Sequence, residues 1–339
     1  YSAWMKRPLV LFPSLLLLGT PLLACSSATS TTGTGGTSTS STSSTSSTSG
    51  GGGGAGTTTT SSGGTGGAGV GGAGGEGPIG GDRPVSVHLP PSYESGKPAP
   101  LLLMLHGYIS TGALEEAYLQ ITPESDKRGF LYAYPDGTVD PSGSHFWNAT
   151  DACCNVYGST VDDSAYLSSV IKQIQARYSV DPKRIFLFGH SNGAFMSYRM
   201  ACDHADQIAA IVSLAGAMWE DTSKCAPSGP VSVLQLHGTD DQSVPYEGDP
   251  AGLVPSAETT VKDWASFDGC DLTPDSSAPP IDFDGVLAGD ETTVERYAKG
   301  CKGGAGVELW SIQKGTHVPN LSMTAREQIF GFLAAHPKP

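Results

Sequence analysis

The chain has 339 residues, a net charge of −14 and seven cysteines. Its acidic balance argues against nucleic acid or an anionic membrane surface as a partner, since both repel a negative protein. No internal repeat is present, and the part rich enough in apolar residues to pack, 81–339, has the length of one large domain.

In chain order, Lys6 and Arg7 precede an apolar run, 9–18, interrupted by Pro13 and followed by Gly19 and Pro21. The run is shorter than the ~20 residues a spanning helix needs, so residues 1–25 read as an export signal. Leu22-Leu23-Ala24-Cys25 resembles the lipobox of bacterial lipoproteins, which makes Cys25 the candidate for lipidation and implies a secreted or cell-envelope location. Residues 26–80 read as a Ser/Thr/Gly linker, because 26–75 contain only Ser, Thr, Gly, Ala and Val and can bury almost nothing against the entropy of ordering.

Beyond the linker, hydrophobic runs at 85–89, 101–105, 130–134, 185–188, 208–214, 231–237 and 307–312 predict strands. Runs 101–105 and 185–188 are apolar throughout, as in parallel strands buried on both faces. Residues 163–178 carry a helical stripe with Asp162 or Asp163 as N-cap; 194–202, 255–267 and 323–335 predict further helices. This alternation predicts a doubly wound, mostly parallel α/β sheet with helices on both faces.

The strand at 185–188 runs into Gly189-His190-Ser191-Asn192-Gly193, the pattern of a nucleophile elbow, in which a serine stands on a sharp strand-to-helix turn. Ligands of parallel α/β sheets bind beyond the carboxyl ends of the strands. There, Asp240 and Asp241 follow strand 231–237, and His317 follows strand 307–312. Ser, acid, His is the chain order of a hydrolase triad on such a sheet: Ser191 as nucleophile, His317 as base, and Asp241 as orienting acid, with Asp240 as the alternative. Oxyanion donors are expected from the backbone N–H groups of Tyr108 and Asn192. His190 should point away from Ser191, and His106 and His237 read as packing or loop-ordering groups. Six cysteines after Cys25 in an exported chain predict disulfides. Cys202 and Cys225 are placed to hold down a loop, Cys270 and Cys301 bracket a polar insertion, and Cys153 and Cys154 are either bonded to each other or free. No histidine stands at metal-ligand spacing from a cysteine pair.

Taken together, His106-Gly107, Trp147-Asn148-Ala149 with Cys153-Cys154, Val161-Asp162-Asp163, the Ser191 pentapeptide, His237-Gly238-Thr239-Asp240-Asp241 with Val244-Pro245-Tyr246, and Gly315-Thr316-His317 resemble the exported polyhydroxybutyrate depolymerase-like esterases, a group that includes feruloyl and acetylxylan esterases. The resemblance spans roughly 82–335. It implies an α/β-hydrolase fold, ester hydrolysis through an acyl-enzyme without a cofactor, and bridges Cys202–Cys225 and Cys270–Cys301. The substrate is expected to be a plant cell-wall ester or a polyester, and the chain to act as a monomer. Many relatives carry a tryptophan two residues after the catalytic histidine, whereas Val318-Pro319 follows His317 here. An aromatic wall would then come from Trp147, Tyr108 or Trp219. The competing readings are a serine peptidase on the same fold and a surface-tethered binding protein without catalysis.

Overall fold

A computed structural model describes residues 77–339. The export signal, Cys25 and the linker through residue 76 lie outside the described residues. Packing begins slightly ahead of the boundary at residue 81, because Ile79 is buried in the core and the Gly80 N–H donates to Gln173.

The elements run β1 (Val87–His88), β2 (Ala99–Leu105), α1 (Gly112–Leu119), α2 (Thr122–Arg128), β3 (Leu131–Ala133), β4 (Thr138–Val139), β5 (His145–Phe146), α3 (Asp163–Arg177), β6 (Val180–His190), α4 (Asn192–Asp203), β7 (Ala210–Leu214), β8 (Ser232–Gly238), α5 (Ala257–Phe267), β9 (Thr292–Tyr297), β10 (Val307–Ile312) and α6 (Met323–Ala335). Eight strands form one sheet in the order β1-β3-β2-β6-β7-β8-β10-β9. From β3 to β10 all neighbours are parallel; only the edge strands β1 and β9 pair antiparallel. β4 and β5 make a separate hairpin.

Alternate residues of β2 go to opposite layers, as the two-residue period of a strand requires. Leu101, Leu103 and Leu105 belong to the apolar layer that also holds α3, α4 and α5, while Leu102 and Met104 belong to the layer of Leu119 of α1 and the α6 residues Ile329, Phe330 and Leu333. Each such fully buried side chain contributes about 1.5–3 kcal/mol relative to exposure. This is the doubly wound sheet that the apolar runs predict.

All six cysteines after Cys25 are paired: Cys202–Cys225, Cys270–Cys301 and Cys153–Cys154. The segment bracketed by Cys270 and Cys301 is more than a polar insertion, since it supplies β9, with alternating buried and exposed residues.

Asp268, at the C-cap of α5, is a buried carboxyl with one weak partner: the Val231 N–H reaches Oδ1 at 3.3 Å, and Oδ2 has no hydrogen bond among the described residues. Burial pushes its pKa up to about 7. A raised folded-state pKa on an acid means that the native chain holds a proton the unfolded chain has lost, so this group's contribution to stability falls as pH rises from about 4 to about 7. Each unit of displacement corresponds to about 1.4 kcal/mol. Urea unfolding of Asp268→Asn at pH 4.5 and 7.5 is expected to show the variant gaining on the wild type at the higher pH. An equal difference at both values would refute the assignment.

Candidate active site

The elbow is a consequence of close backbone crossings. Ser191 adopts φ 52° and ψ −121°, a region that side chains avoid, and its N–H donates to Leu214 O at 2.8 Å. A Cβ on Gly189 would lie 2.1 Å from Gly193 O, and one on Gly193 2.0 Å from Leu105 O. Only glycine permits both contacts, and β6, the turn and α4 are thereby locked with Ser191 at the apex.

Ser191 Oγ is 2.9 Å from His317 Nε2, and His317 Nδ1 is 2.8 Å from Asp241 Oδ2. Asp241 Oδ1 accepts the N–H groups of Ser243 and Val244 at 2.8 and 2.9 Å. Its side chain is fully buried, with His237 Nε2 at 3.5 Å. Burial alone would raise the Asp241 pKa, but hydrogen bonds from His237, His317 and the Val244 N–H outweigh it and hold the carboxyl well below the usual range. An ionised Asp241 is an acceptor only, so Nδ1 of His317 carries the proton and Nε2 faces Ser191 as a base. Asp240 is exposed, and its backbone N–H donates to Gly315 O.

The loop after β2 covers the elbow, with a Cβ position at Gly107 3.4 Å from Ser191 Cβ. Among the described residues, the backbone N–H groups of Tyr108 and Asn192 have no hydrogen-bond partner, and Asn192 opens α4, whose N-terminal dipole favours negative charge. The Asn192 side chain faces away: its Oδ1 accepts the Trp147 N–H at 2.6 Å and its Nδ2 donates to Trp147 O at 3.0 Å. The Tyr108 hydroxyl donates to Asp140 at 2.9 Å. Burial, Asp140 and neighbouring Tyr157 push this phenol up.

Trp147 and Trp219 are corrected as substrate contacts. Trp147 is 0% exposed, donates Nε1–H to His106 O and packs on the His106 ring at 5.1 Å. Trp219 is 8% exposed and belongs to the core. His106 and His237 do order loops: His106 Nε2 accepts the Gly137 N–H, and His237 Nε2 is 2.8 Å from Val244 O. The two acids at 162 and 163 divide their work. Asp162 caps α3 through the Ala165 N–H, while buried Asp163 accepts from Arg83, Thr138 and the Asn148 N–H, fastening the hairpin and the Trp147 segment to α3.

One pair of functional neighbours is invisible in the sequence. Glu115, buried in α1, holds the Gly107 N–H with Oε2 at 3.1 Å and His190 Nδ1 with Oε1 at 2.8 Å. His190 Nε2 in turn reaches His317 O at 3.0 Å, and its ring packs on that of His317 at 5.2 Å. Burial would raise the Glu115 pKa, but the hydrogen bond and charge of His190, with the Gly107 N–H, hold it low. His190 thus points away from Ser191, and its two ring nitrogens face an ionised carboxylate and a carbonyl.

Among the described residues no cluster of His, Cys, Asp and Glu is arranged to hold a metal ion, and no helix is long and apolar enough to cross a membrane.

Residues 77–245 match the profile of a family described as "Putative esterase". The chain is 31% identical over 245 residues to Feruloyl esterase B of Piromyces equi, across 69% of this chain and 42% of that protein. It is 28% identical over 168 residues to Bifunctional acetylxylan esterase/xylanase XynS20E of Neocallimastix patriciarum, across 50% of this chain and 23% of that protein. It therefore spans less than half the length of these curated relatives. Among solved structures, an acetyl xylan esterase from Aspergillus awamori aligns with a TM-score of 0.54 at 16% identity, over 74% of this chain and 93% of that one. That likeness carries the α/β-hydrolase fold.

Proposed function

We propose, for a chain whose residues 77–245 belong to the putative-esterase family, that it hydrolyses carboxylic esters through an acyl-enzyme, with Ser191 as nucleophile, His317 as general base and acid, and Asp241 as the orienting acid. The observation that carries this is the unbroken line from Ser191 Oγ through His317 to Asp241, at 2.9 and 2.8 Å.

A serine hydroxyl is a weak nucleophile until a base takes its proton. In the first half-reaction Ser191 Oγ attacks the ester carbonyl while its proton passes to His317 Nε2. The negative charge moves onto the carbonyl oxygen, which the N–H groups of Tyr108 and Asn192 stabilise. Asp241 stabilises the imidazolium that forms. As the tetrahedral adduct collapses, His317 returns the proton to the leaving alcohol and an acyl-serine remains. Water then repeats the sequence: His317 removes its proton, the second adduct breaks to free acid, and Ser191 recovers its hydrogen.

The curated relatives are named for feruloyl and acetylxylan esters. These names support a plant cell-wall ester as substrate, ahead of a polyester such as polyhydroxybutyrate. Three disulfides among the described residues favour action outside the reducing cytoplasm, by a monomer held at the cell envelope through Cys25.

The experiment is labelling with a fluorophosphonate probe alongside hydrolysis of p-nitrophenyl acetate and butyrate. Stoichiometric labelling at Ser191 and turnover above background are expected. An unlabelled, folded protein would instead support the tethered binding protein, and amide cleavage without ester preference the peptidase.

A further inference from the structure

Gly107 joins two peptide planes. The plane that ends at Tyr108 has its carbonyl, Gly107 O, held by His106 Nδ1 at 2.7 Å and by the Ser110 N–H at 3.2 Å. In a trans peptide the N–H points opposite the carbonyl, so these partners set the direction of the Tyr108 N–H. The preceding plane is held at its carbonyl, His106 O, by Trp147 Nε1–H at 3.0 Å, and at its N–H by Glu115 Oε2 at 3.1 Å. Glycine has the widest backbone freedom of any residue, so the second plane keeps its aim only while the first is fixed.

The same carboxylate also reaches the base. Its Oε1 is 2.8 Å from His190 Nδ1, and His190 Nε2 is 3.0 Å from His317 O; Glu115 and His190 are only 3 and 7% exposed. Glu115 stands on a helix that is itself anchored, since Thr111 caps α1 at the Leu114 N–H and the Gly112 N–H donates to Asp136 at 2.7 Å. One turn on, Tyr118 lies on the same face of α1. It packs on the His190 ring at 5.4 Å and donates its hydroxyl to Pro319 O at 2.7 Å. A buried polar pair of this kind is weak evidence for stability, because apolar side chains of similar volume often do as well. Apolar side chains could not, however, fix the direction of a peptide N–H and of an imidazole at once.

We propose that Glu115 and His190 are positioning residues of the hydrolytic reaction: the carboxylate aims the Tyr108 N–H through the Gly107 peptide, and the imidazole sets the His317 loop. Neither residue touches the substrate in this account. They keep the oxyanion donor and the base in register with Ser191, so their loss should be felt in the transition state, where donor and base act together, and not in ground-state binding. The inference rests on the ester-hydrolase reading for its effect on rate, while the placement it claims can be measured without turnover.

Steady-state kinetics on p-nitrophenyl butyrate, with circular dichroism on the same preparations, test it. Glu115→Leu removes both contacts and is expected to lower kcat about 10²-fold, the scale of losing one oxyanion donor, with KM within about threefold. Glu115→Gln keeps an oxygen for the Gly107 N–H and should recover about tenfold or more of that loss. His190→Leu cuts the link at its other end; it should lower kcat about tenfold with KM held, and it carries the test if Glu115→Leu does not fold. Exchange of the Gly107 amide hydrogen, followed by NMR, reads the link itself. Both Leu variants are expected to speed it about tenfold, His190→Leu included, although it is Glu115 that holds this N–H. A folded Glu115→Leu with kcat within about threefold of wild type, a loss confined to KM, a Gln variant as impaired as the Leu variant, or exchange unmoved by His190→Leu would each overturn the proposal. If the exchange responds but the wild type turns over no ester, the ester-hydrolase reading fails and the placement stands.

Discussion

Ser191→Ala is expected to lower kcat for p-nitrophenyl esters by about 10⁴–10⁶-fold, the scale on which hydrolases lose activity with their nucleophile. The residual rate comes from the oxyanion donors and binding alone. The fold should survive, since Ala at this position keeps the same backbone and removes only the hydroxyl. Ser191→Gly adds a second readout. At φ 52° and ψ −121° glycine escapes the steric cost that a side chain bears, so this variant is expected to be equally inactive yet more stable than wild type by about 1–3 kcal/mol. Urea unfolding beside steady-state kinetics checks both. Ser191→Ala retaining activity within tenfold of wild type would remove Ser191 from the mechanism.

Asp241→Asn is expected to cost about 10⁴-fold in kcat, for a reason legible in the hydrogen bonds. Oδ1 accepts two backbone N–H groups, from Ser243 and Val244, so the amide oxygen of the variant must occupy that side. The amide NH₂ then faces His317 Nδ1, where an acceptor stood. Two donors cannot share a bond, so His317 is driven to the tautomer protonated on Nε2, which presents N–H to Ser191 Oγ and cannot take its proton. The loss should therefore fall on kcat with folding intact, measured by kinetics and circular dichroism on the same preparation. An Asp240→Asn control should stay within about twofold, because that side chain is exposed. The reverse outcome would exchange the two acids.

The parallel strands were legible because a strand covered on both faces must be apolar throughout, and 101–105 and 185–188 are. α3 was legible from its stripe. By contrast, α2 reads Thr-Pro-Glu-Ser-Asp-Lys-Arg and has no apolar stripe to betray it. β4 and β5 are two residues each, below any periodicity, and β9 sits inside a polar, proline-rich stretch. That Ser191, His317 and Asp241 meet was legible because topology sends residues after parallel strands to one end of the sheet, whatever lies between them in sequence. The aromatic wall was not. Composition cannot say which way a tryptophan points, and Trp147 spends its N–H on His106 O rather than on a substrate. Glu115 left no trace, since nothing in Gly-Ala-Leu-Glu-Glu-Ala-Tyr-Leu distinguishes the buried glutamate from its neighbour.

The Glu115–His190 bridge joins the Gly107 N–H at one end to the His317 carbonyl at the other. Tyr108 follows Gly107 directly, so the group that would receive the oxyanion and the group that would move the proton hang from a single carboxylate–imidazole strut. Natural variation in either loop is therefore constrained by the other. Drift in the Tyr108 loop that disturbs Glu115 also shifts the base, and a change harmless in one sequence background becomes costly in another. Within such a lineage the oxyanion loop and the histidine loop would be inherited as a matched pair, and substrate range would be free to diverge only in parts the strut does not hold.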